Sequence, residues 1–233
     1  MIRIGLVLPD VLGTYGDDGN ALVLRSQARM RGHDAEIVRI TLGEPVPDDC
    51  HVYTIGGGED AAQVLAVQHL RQDGTLRALA TSKPILAICA GFQILGNSFH
   101  AGGKVVEGLG IIDATTSPQE NRAIGELITD PAHVDGLTEP LTGFENHLGA
   151  TVLGSGARPL GTVRRGVGNN ADDQTEGAIQ NQIIATYMHG PVLARNPQLA
   201  DLLLARGMGV EPSELEPLEL PEVAALRAER LKA

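Results

Sequence analysis

The chain has 233 residues, of which 42% are hydrophobic and 20% charged, and its formal net charge is −11. This length predicts one domain with at most a short appendage, and the negative charge argues against a nucleic-acid partner, since phosphate backbones would be repelled. Two cysteines, Cys50 and Cys89, are too few for a disulfide framework. No apolar run approaches the roughly 20 residues of a membrane span, and the N-terminus lacks a signal-peptide layout, so we expect a cytoplasmic protein.

The first ninety residues alternate short apolar runs with helical patterns. Strands are predicted at residues 4–8, 35–40, 52–55 and 84–88, and helices at 21–31, 60–80 and 90–97. Continuous apolar strands separated by helices predict an α/β fold, with a mostly parallel sheet covered by helices on both faces. From residue 105 to about 186 the strands alternate more, which predicts antiparallel additions, and the tail from 212 to 233 predicts a C-terminal helix.

The segment from Pro84 to Gly96 predicts a nucleophile at Cys89. A buried strand runs into this cysteine, small residues flank it, and a helix begins immediately after it. That pattern is typical of a nucleophile elbow, a sharp strand-to-helix turn that presents one side chain above the sheet. The helix dipole and the free N–H groups favour thiolate over thiol there. The alternative is that Cys89 is a buried small hydrophobic residue, the usual role of a free cysteine.

A cysteine nucleophile needs a base, and the sequence offers two candidates. His189 lies just past the apolar strand that begins at Ile183. Because the carboxyl ends of parallel strands line one crevice, Cys89 and His189 can meet there. His147 is the alternative base. No group of His, Cys and carboxylate residues has metal-ligand spacing, so we predict no metal site.

A glycine run, Gly56–Gly58, ends the third predicted strand. Its backbone N–H groups can approach a ligand closely, and with the N–H of Ala90 they predict an oxyanion hole formed by Gly57, Gly58 and Ala90. A phosphate-binding loop or a simple turn are the alternatives. The run lacks the glycine spacing of the common nucleotide-binding motifs, which leaves nucleotide binding weakly supported.

These residues carry a family resemblance. The stretch from Ala87 to Gln93 resembles the G-x-C-x-G-x-Q elbow of class I (triad-type) glutamine amidotransferases, with Ala in place of the first Gly. Four further segments are similar to the cobyric-acid-synthase-like branch, and within it to glutaminase subunits that act with a Mur-ligase-like partner, MurT: residues 12–20, 57–60, 121–127 and 143–147. The resemblance runs from residue 1 to about 205. It implies a flavodoxin-like glutaminase domain at 1–205 and a helical extension at 206–233.

The resemblance also implies an activity. Cys89 and His189 would hydrolyse L-glutamine, and the ammonia would pass to the MurT partner of a heterodimer, which amidates the D-glutamate α-carboxyl of lipid II to D-isoglutamine. Arg122 is predicted to bind the glutamine carboxylate, because a guanidinium fork suits planar anions; the alternative is a solvated surface arginine. Gln93 is predicted to line the pocket, or else only to pack the first helical turn. No cofactor is expected in this chain, and ATP and magnesium are expected on the partner.

One departure from the family pattern affects the base. Family members usually carry His-x-Glu, with the Glu orienting the histidine, whereas Pro191 stands at that position here. The sequence therefore predicts a Cys–His dyad whose missing carboxylate comes from the partner. Two other functions stay open: an amidotransferase subunit for another acceptor, such as a corrinoid, and a catalytically silent regulatory subunit.

Overall fold

A computed structural model describes residues 1–232. In chain order the strands are β1 (Ile2–Val7), β2 (Ala35–Ile40), β3 (Val52–Ile55), β4 (Ile85–Ile88), β5 (Ser98–Ala101), β6 (Lys104–Glu107), β7 (Ala114–Pro131), β8 (Leu141–Leu153), β9 (Gly161–Arg165), β10 (Thr175–Glu176), β11 (Ala178–Gln180) and β12 (Ile183–Thr186). The helices are α1 (Gly19–Met30), α2 (Asp60–Asp73), α3 (Thr75–Leu79), α4 (Ala90–Leu95), α5 (Val192–Arg195), α6 (Pro197–Met208) and α7 (Pro221–Arg230), with a 3₁₀ turn at Pro212–Glu214.

The central sheet has six strands in the order β11-β12-β4-β3-β1-β2. All its pairings are parallel except that of β11 with β12. The connection from β1 to β2 runs towards one edge and that from β3 to β4 towards the other. Because such crossovers are right-handed, their helices lie on opposite faces of the sheet. The α/β prediction is confirmed, and the change of direction between β1 and β3 creates the crevice at which these sheets bind ligands.

A second sheet, built from residues 98–176, confirms the predicted antiparallel additions. Its order is β10-β9-β7-β5-β6, with β8 paired to β7 as a long antiparallel ribbon. The ribbon is interrupted once, because five steps along β7, from Pro118 to Ala123, match only two steps along β8, from Gly149 to His147. The extra residues form a large bulge, and a bulge redirects side chains out of the regular alternation.

Two predicted helices differ from the structure for local reasons. The pattern over residues 60–80 is two helices rather than one, because Gly74 adopts a left-handed conformation with φ of 76° and ends α2. The predicted terminal helix is limited to α7, preceded by the short turn at 212–214. Helix α6 runs continuously across position 205, where the sequence placed the end of the main domain. Within residues 1–232, no helix is both long and apolar enough to cross a membrane.

The C-terminal helix α7 is joined to the domain by a buried arginine, Arg227. The Arg227 guanidinium donates to the carbonyl oxygens of Arg195 and Pro140, at 2.7 and 2.9 Å. It also donates to Asn196 Oδ1 at 2.8 Å and to Glu139 Oε2 at 2.9 Å. These contacts tie α7 to the junction of α5 and α6, which follows the segment that carries His189.

We predict that Arg227→Leu lowers the free energy of unfolding by about 2–4 kcal/mol, because buried acceptors lose their donor. Arg230→Leu is the matched control, since Arg230 is 39% exposed and lies 3.7 Å from Glu126; its removal should cost less than about 1 kcal/mol. Urea unfolding of the full chain measures both values. Equal losses in the two variants would contradict this account of how α7 is held.

Candidate active site

The residues of the candidate site come from the carboxyl ends of four neighbouring strands. The loop after β1 carries Asp17, and the glycine run Gly56–Gly58 follows β3. Cys89 follows β4, and His189 lies three residues beyond the end of β12. Since these strands are parallel neighbours, their ends meet at the same edge of the sheet. The structure therefore brings Cys89 and His189 to one crevice, as the sequence analysis expected.

Cys89 has the strained backbone of a nucleophile elbow. Its φ of 51° and ψ of −104° lie in a region that L-residues rarely adopt. Its N–H donates to Thr186 O at 2.9 Å, which holds the turn against β12. A Cβ on Gly91 would lie 2.8 Å from Ile55 Cγ2 and 2.9 Å from Ile55 O. The small residue at this position is therefore required by the close approach of α4 to β3.

His189 is paired with a buried carboxylate of the same chain. Its Nδ1 lies 3.1 Å from both carboxylate oxygens of Asp17, a residue only 1% exposed. The Nδ1–H group donates to this carboxylate, which leaves Nε2 as the nitrogen available to the Cys89 thiol. Asp17 Oδ2 also accepts from the N–H of Gly57 at 2.9 Å. One carboxylate thus links the ends of β1, β3 and β12.

The surroundings of His189 favour its charged form. Burial by itself lowers the pKa of His189, but hydrogen bonds and charge interactions with Asp17 and Cys89 outweigh burial and raise the pKa to about 10. The ring of Tyr15 covers the imidazole, with ring centroids 5.0 Å apart. The direction of this shift favours the charged imidazole, in a residue that is only 6% exposed.

The structure places a carboxylate of the same chain beside the predicted Cys–His dyad. We expected the orienting carboxylate to come from a partner, because the usual Glu after the histidine is replaced by Pro191. In this chain the position on Nδ1 is occupied by Asp17, 172 residues earlier, and a carboxylate from a partner stays a prediction. The sequence contains the loop that carries Asp17 but offers no local signal that links it to His189, since only the fold brings the two together.

The predicted oxyanion hole also changes. The N–H of Gly57 is committed to Asp17 Oδ2, so it is not free to stabilise an oxyanion. A Cβ on Gly57 would lie 3.1 Å from His189 Cε1 and 3.2 Å from Asp17 Oδ2. The missing side chain at this glycine makes room for the Asp17–His189 pair. Gly58 lines the cavity beside Cys89, and Ala90 is the first residue of α4, so these two remain as predicted donors.

A cavity of about 250 Å³ opens in front of Cys89. It lies between the start of α2 and the β7–β8 ribbon, and both Arg122 and Gln93 line it. Arg122 lies in the large bulge of β7, where its guanidinium donates to Asn146 Oδ1 at 2.6 Å. Arg122 therefore lines the cavity from the bulge, and its contact with the substrate carboxylate stays a prediction.

Gln93 is fixed by hydrogen bonds at both ends of its amide. Its Nε2 donates to the Tyr187 hydroxyl at 3.1 Å, and its Oε1 accepts from Gln63 Nε2 at 2.8 Å. The Tyr187 hydroxyl continues the network to Thr151 at 2.6 Å. The pKa of Tyr187 is raised to about 12, chiefly by burial. Gln93 is thus a rigid part of the cavity wall one turn after the nucleophile.

The alternative base, His147, is held in the wall of the same cavity by other groups. Its Nδ1 pairs with Gly149 O at 2.8 Å, and its Nε2 lies 3.5 Å from Glu145 Oε2. Its ring stacks on Tyr187 with centroids 3.8 Å apart. These contacts give His147 a packing role. His189 is the histidine whose pKa is raised by Asp17 and Cys89. Among residues 1–232, no group of three His, Cys, Asp or Glu side chains could hold a metal ion.

Comparison with known proteins places the chain among glutamine amidotransferases. Residues 3–197 match the CobB/CobQ-like glutamine amidotransferase domain. The subunit GatD of lipid II isoglutaminyl synthase (glutamine-hydrolyzing) from Staphylococcus aureus is 34% identical over 228 residues, covering 96% of this chain and 91% of that protein. The protein of the same name from Streptococcus pneumoniae is 33% identical over 212 residues, covering 89% of this chain and 80% of that protein.

A solved structure supports the fold. The crystal structure of a protein assigned as a GMP synthase subunit from Thermoplasma acidophilum aligns with a TM-score of 0.57, covering 100% of this chain and 98% of that chain. At 18% sequence identity this likeness concerns the fold alone. The match to the domain model covers most of the chain, and the site has the strand-end geometry described above. The chain belongs to the CobB/CobQ-like glutamine amidotransferase family.

Proposed function

We propose that this chain is the glutaminase subunit of a lipid II isoglutaminyl synthase. It hydrolyses L-glutamine at Cys89 and delivers ammonia to a Mur-ligase-like partner of the MurT type, which amidates the D-glutamate α-carboxyl of lipid II. The observation that carries this proposal is the cavity that holds Cys89 beside the Asp17–His189 pair. The near full-length similarity to two subunits with this name supports it over a corrinoid acceptor.

The first half of the reaction forms a thioester. The Cys89 thiolate attacks the side-chain carbonyl carbon of glutamine, a C–S bond forms, and the carbonyl electrons move to oxygen. In this scheme the N–H groups of Gly58 and Ala90 stabilise the oxyanion. His189 Nε2 then gives its proton to the amide nitrogen, the C–N bond breaks, and ammonia leaves.

The second half releases glutamate. Neutral His189 removes a proton from water as the water oxygen attacks the thioester carbon. The C–S bond breaks, glutamate departs, and the thiolate and imidazolium are restored. Asp17 keeps Nδ1 protonated throughout, so that Nε2 is the nitrogen that exchanges protons at the reacting atoms.

Activation of the acceptor belongs to the partner in this scheme. ATP and magnesium would bind the partner, where the α-carboxyl is activated before ammonia attacks it. This chain contributes the hydrolytic site. Its own side chains supply a nucleophile, a base and a carboxylate that orients the base.

We predict that the chain releases glutamate from L-glutamine and that this activity rises when the Mur-ligase-like partner is added. The Cys89→Ala variant should lower the activity by at least about 10³-fold. The measurement is coupled detection of glutamate, for the chain alone and for the complex. Absence of activity in both settings, with the complex intact, would instead support the silent regulatory subunit.

The role of Asp17 gives a second prediction. Asp17→Asn should lower kcat by about 10³–10⁴-fold, because a neutral amide does not stabilise the imidazolium or keep the productive tautomer. The fold should persist, since Asn can still accept from Gly57 N–H. Asp18→Asn is the matched control, as Asp18 is the neighbouring carboxylate and points to Arg39 at 3.8 Å. Full activity of Asp17→Asn in the complex would return the orienting role to the partner.

The state of His189 also predicts how stability depends on pH. Because the pKa of His189 is raised from 6.5 to about 10, its contribution is fully present below about pH 6.5 and is lost as the pH rises towards 10. The free energy of unfolding should therefore fall over this window, with a slope from this group of at most about 1.4 kcal/mol per pH unit. Urea unfolding at pH 6.5, 8 and 9.5 should give a shallower slope for Asp17→Asn than for wild type. An equal slope would show that the pair does not raise the pKa of His189.

A further inference from the structure

A buried carboxyl group that the proposed chemistry does not use is attached to the segment that carries the base. Glu176 ends β10, an edge strand of the second sheet, and is completely buried. Its Oε1 accepts from the Thr186 hydroxyl at 2.7 Å and from the N–H of Tyr187 at 2.8 Å. Thr186 is the last residue of β12, and Tyr187 is the second residue before His189. Glu176 therefore joins the second sheet to the approach to the base.

This contact completes the backbone hydrogen bonding of that segment. Strand β12 pairs with its neighbours only as far as Thr186, and the backbone of His189 pairs with β8. Between them, Tyr187 and Met188 lie outside both ladders, although both are fully buried. The N–H of Tyr187 donates to Glu176 Oε1, and that of Met188 donates to Thr186 Oγ1 at 3.0 Å. Buried N–H groups need acceptors, and the carboxyl group supplies one directly and orients the hydroxyl that supplies the other.

Thr186 also holds the nucleophile. Its carbonyl oxygen accepts from the N–H of Cys89 at 2.9 Å, while its hydroxyl donates to Glu176. The backbone that runs from Thr186 to His189 therefore connects the nucleophile elbow to the base over three residues. The path of this short connection sets where the imidazole lies relative to the sulfur. A displacement of about 1 Å between reacting groups can cost about 10²-fold in rate, so the anchor of this segment matters to the chemistry.

The surroundings of Glu176 make it an acceptor that needs no negative charge. Among the described residues its Oε2 has no hydrogen-bond partner, and the charged group that acts on it is Glu145 of β8, also buried. Glu145 has donors of its own, the N–H groups of Val167 and Gly168, at 2.7 and 2.9 Å. Burial is the main cause that raises the pKa of Glu176 to about 7, Glu145 adds to it, and the two hydrogen bonds on Oε1 oppose it. A proton on Oε2 leaves Oε1 free to accept from both donors.

We propose that Glu176 is a positioning residue for glutamine hydrolysis. Its Oε1 anchors Thr186 and Tyr187, and through them it holds the segment that sets His189 against the sulfur of Cys89. Glu176 itself touches neither the substrate nor the reacting atoms. The assignment rests on the proposed function and deepens it, since it names a residue that does not line the cavity and yet sets the rate at the cavity.

The test removes the acceptor and then restores it without the charge. In the full chain with its partner, Glu176→Met removes the acceptor at nearly constant size. It should lower kcat for glutamate release by about 10- to 100-fold and leave KM for L-glutamine within about 3-fold. Glu176→Gln keeps an acceptor oxygen and should retain kcat within about 3-fold. A loss in Glu176→Gln as large as that in Glu176→Met would overturn the assignment.

A second variant tests the same contact from its other side. Thr186→Val removes the hydroxyl that donates to Glu176 and should lower kcat by a factor similar to that of Glu176→Met. The double variant should stay within about 3-fold of the poorer single variant, because both changes break one contact. Losses that multiply in the double variant would mean that the two side chains act separately, and would contradict the proposal.

Ile183→Ala is the matched control for lost stability. Ile183 is a fully buried residue of the same strand, and its truncation leaves a cavity but keeps the contact between Glu176 and Thr186. Its thermal unfolding midpoint should fall at least as far as that of Glu176→Met, while its kcat should stay within about 3-fold of wild type. Equal losses of kcat in the two variants would show that Glu176 acts through stability alone.

A readout without glutamine separates this assignment from the proposed function. Iodoacetamide alkylates the thiolate of Cys89, which the imidazole beside it stabilises, and peptide mass spectrometry reports Cys89 and Cys50 separately. At pH 7 the alkylation rate of Cys89 should fall by about 5- to 10-fold in Glu176→Met and stay within about 2-fold in Glu176→Gln. An unchanged or faster rate in Glu176→Met would overturn the assignment. The expected rates, in a chain whose wild type releases no glutamate with its partner, would support the positioning of His189 by Glu176 and reject the proposed function.

Discussion

The hydrogen-bonded pair of Asp17 and His189 is the interaction on which the rest of the site depends. A carboxylate this deeply buried is tolerable only when donors surround it, and here the imidazole and the N–H of Gly57 provide them. The glycine run makes this approach possible. A Cβ on Gly56 would lie 2.3 Å from Leu12 O and 3.1 Å from Asp17 Cβ, so bulkier residues would push the Asp17 loop away. The absence of side chains at two glycines is what lets a loop after β1 reach a histidine after β12.

The nucleophile side of the site is constrained by close packing in the same way. Cys89 adopts a positive φ because β4 must turn into α4 within one residue, and the close contact of Gly91 with Ile55 allows that turn. Such backbone strain persists where the surrounding structure over-determines it. At Cys89 the surrounding structure is the parallel pairing of β4 with both β3 and β12. The sheet therefore supplies the sulfur, its base and the loop between them from adjacent strands.

The features that the sequence predicts well are those whose causes are local. The elbow at Cys89 depends on a strand, small neighbours and a helix within a dozen residues, and the parallel sheet depends on short apolar runs. Asp17 was missed because its role depends on a contact between residues 172 positions apart. The break at Gly74 was missed because helical periodicity continues across it, while the left-handed turn is a backbone property.

The β7–β8 ribbon holds two groups of the site at once. The backbone of His189 pairs with Phe144 of β8 through two hydrogen bonds, of 2.8 and 3.0 Å. The guanidinium of Arg122 is held by Asn146 of the same strand. One ribbon therefore positions the backbone of the base and the cation at the cavity, and the two attachment points are two residues apart. A small displacement of β8 would move both groups relative to Cys89, which is anchored to the central sheet. The ribbon thus couples the position of the base to that of the cation, while the hydrogen bond that orients His189 at Nδ1 comes from Asp17 of the same chain.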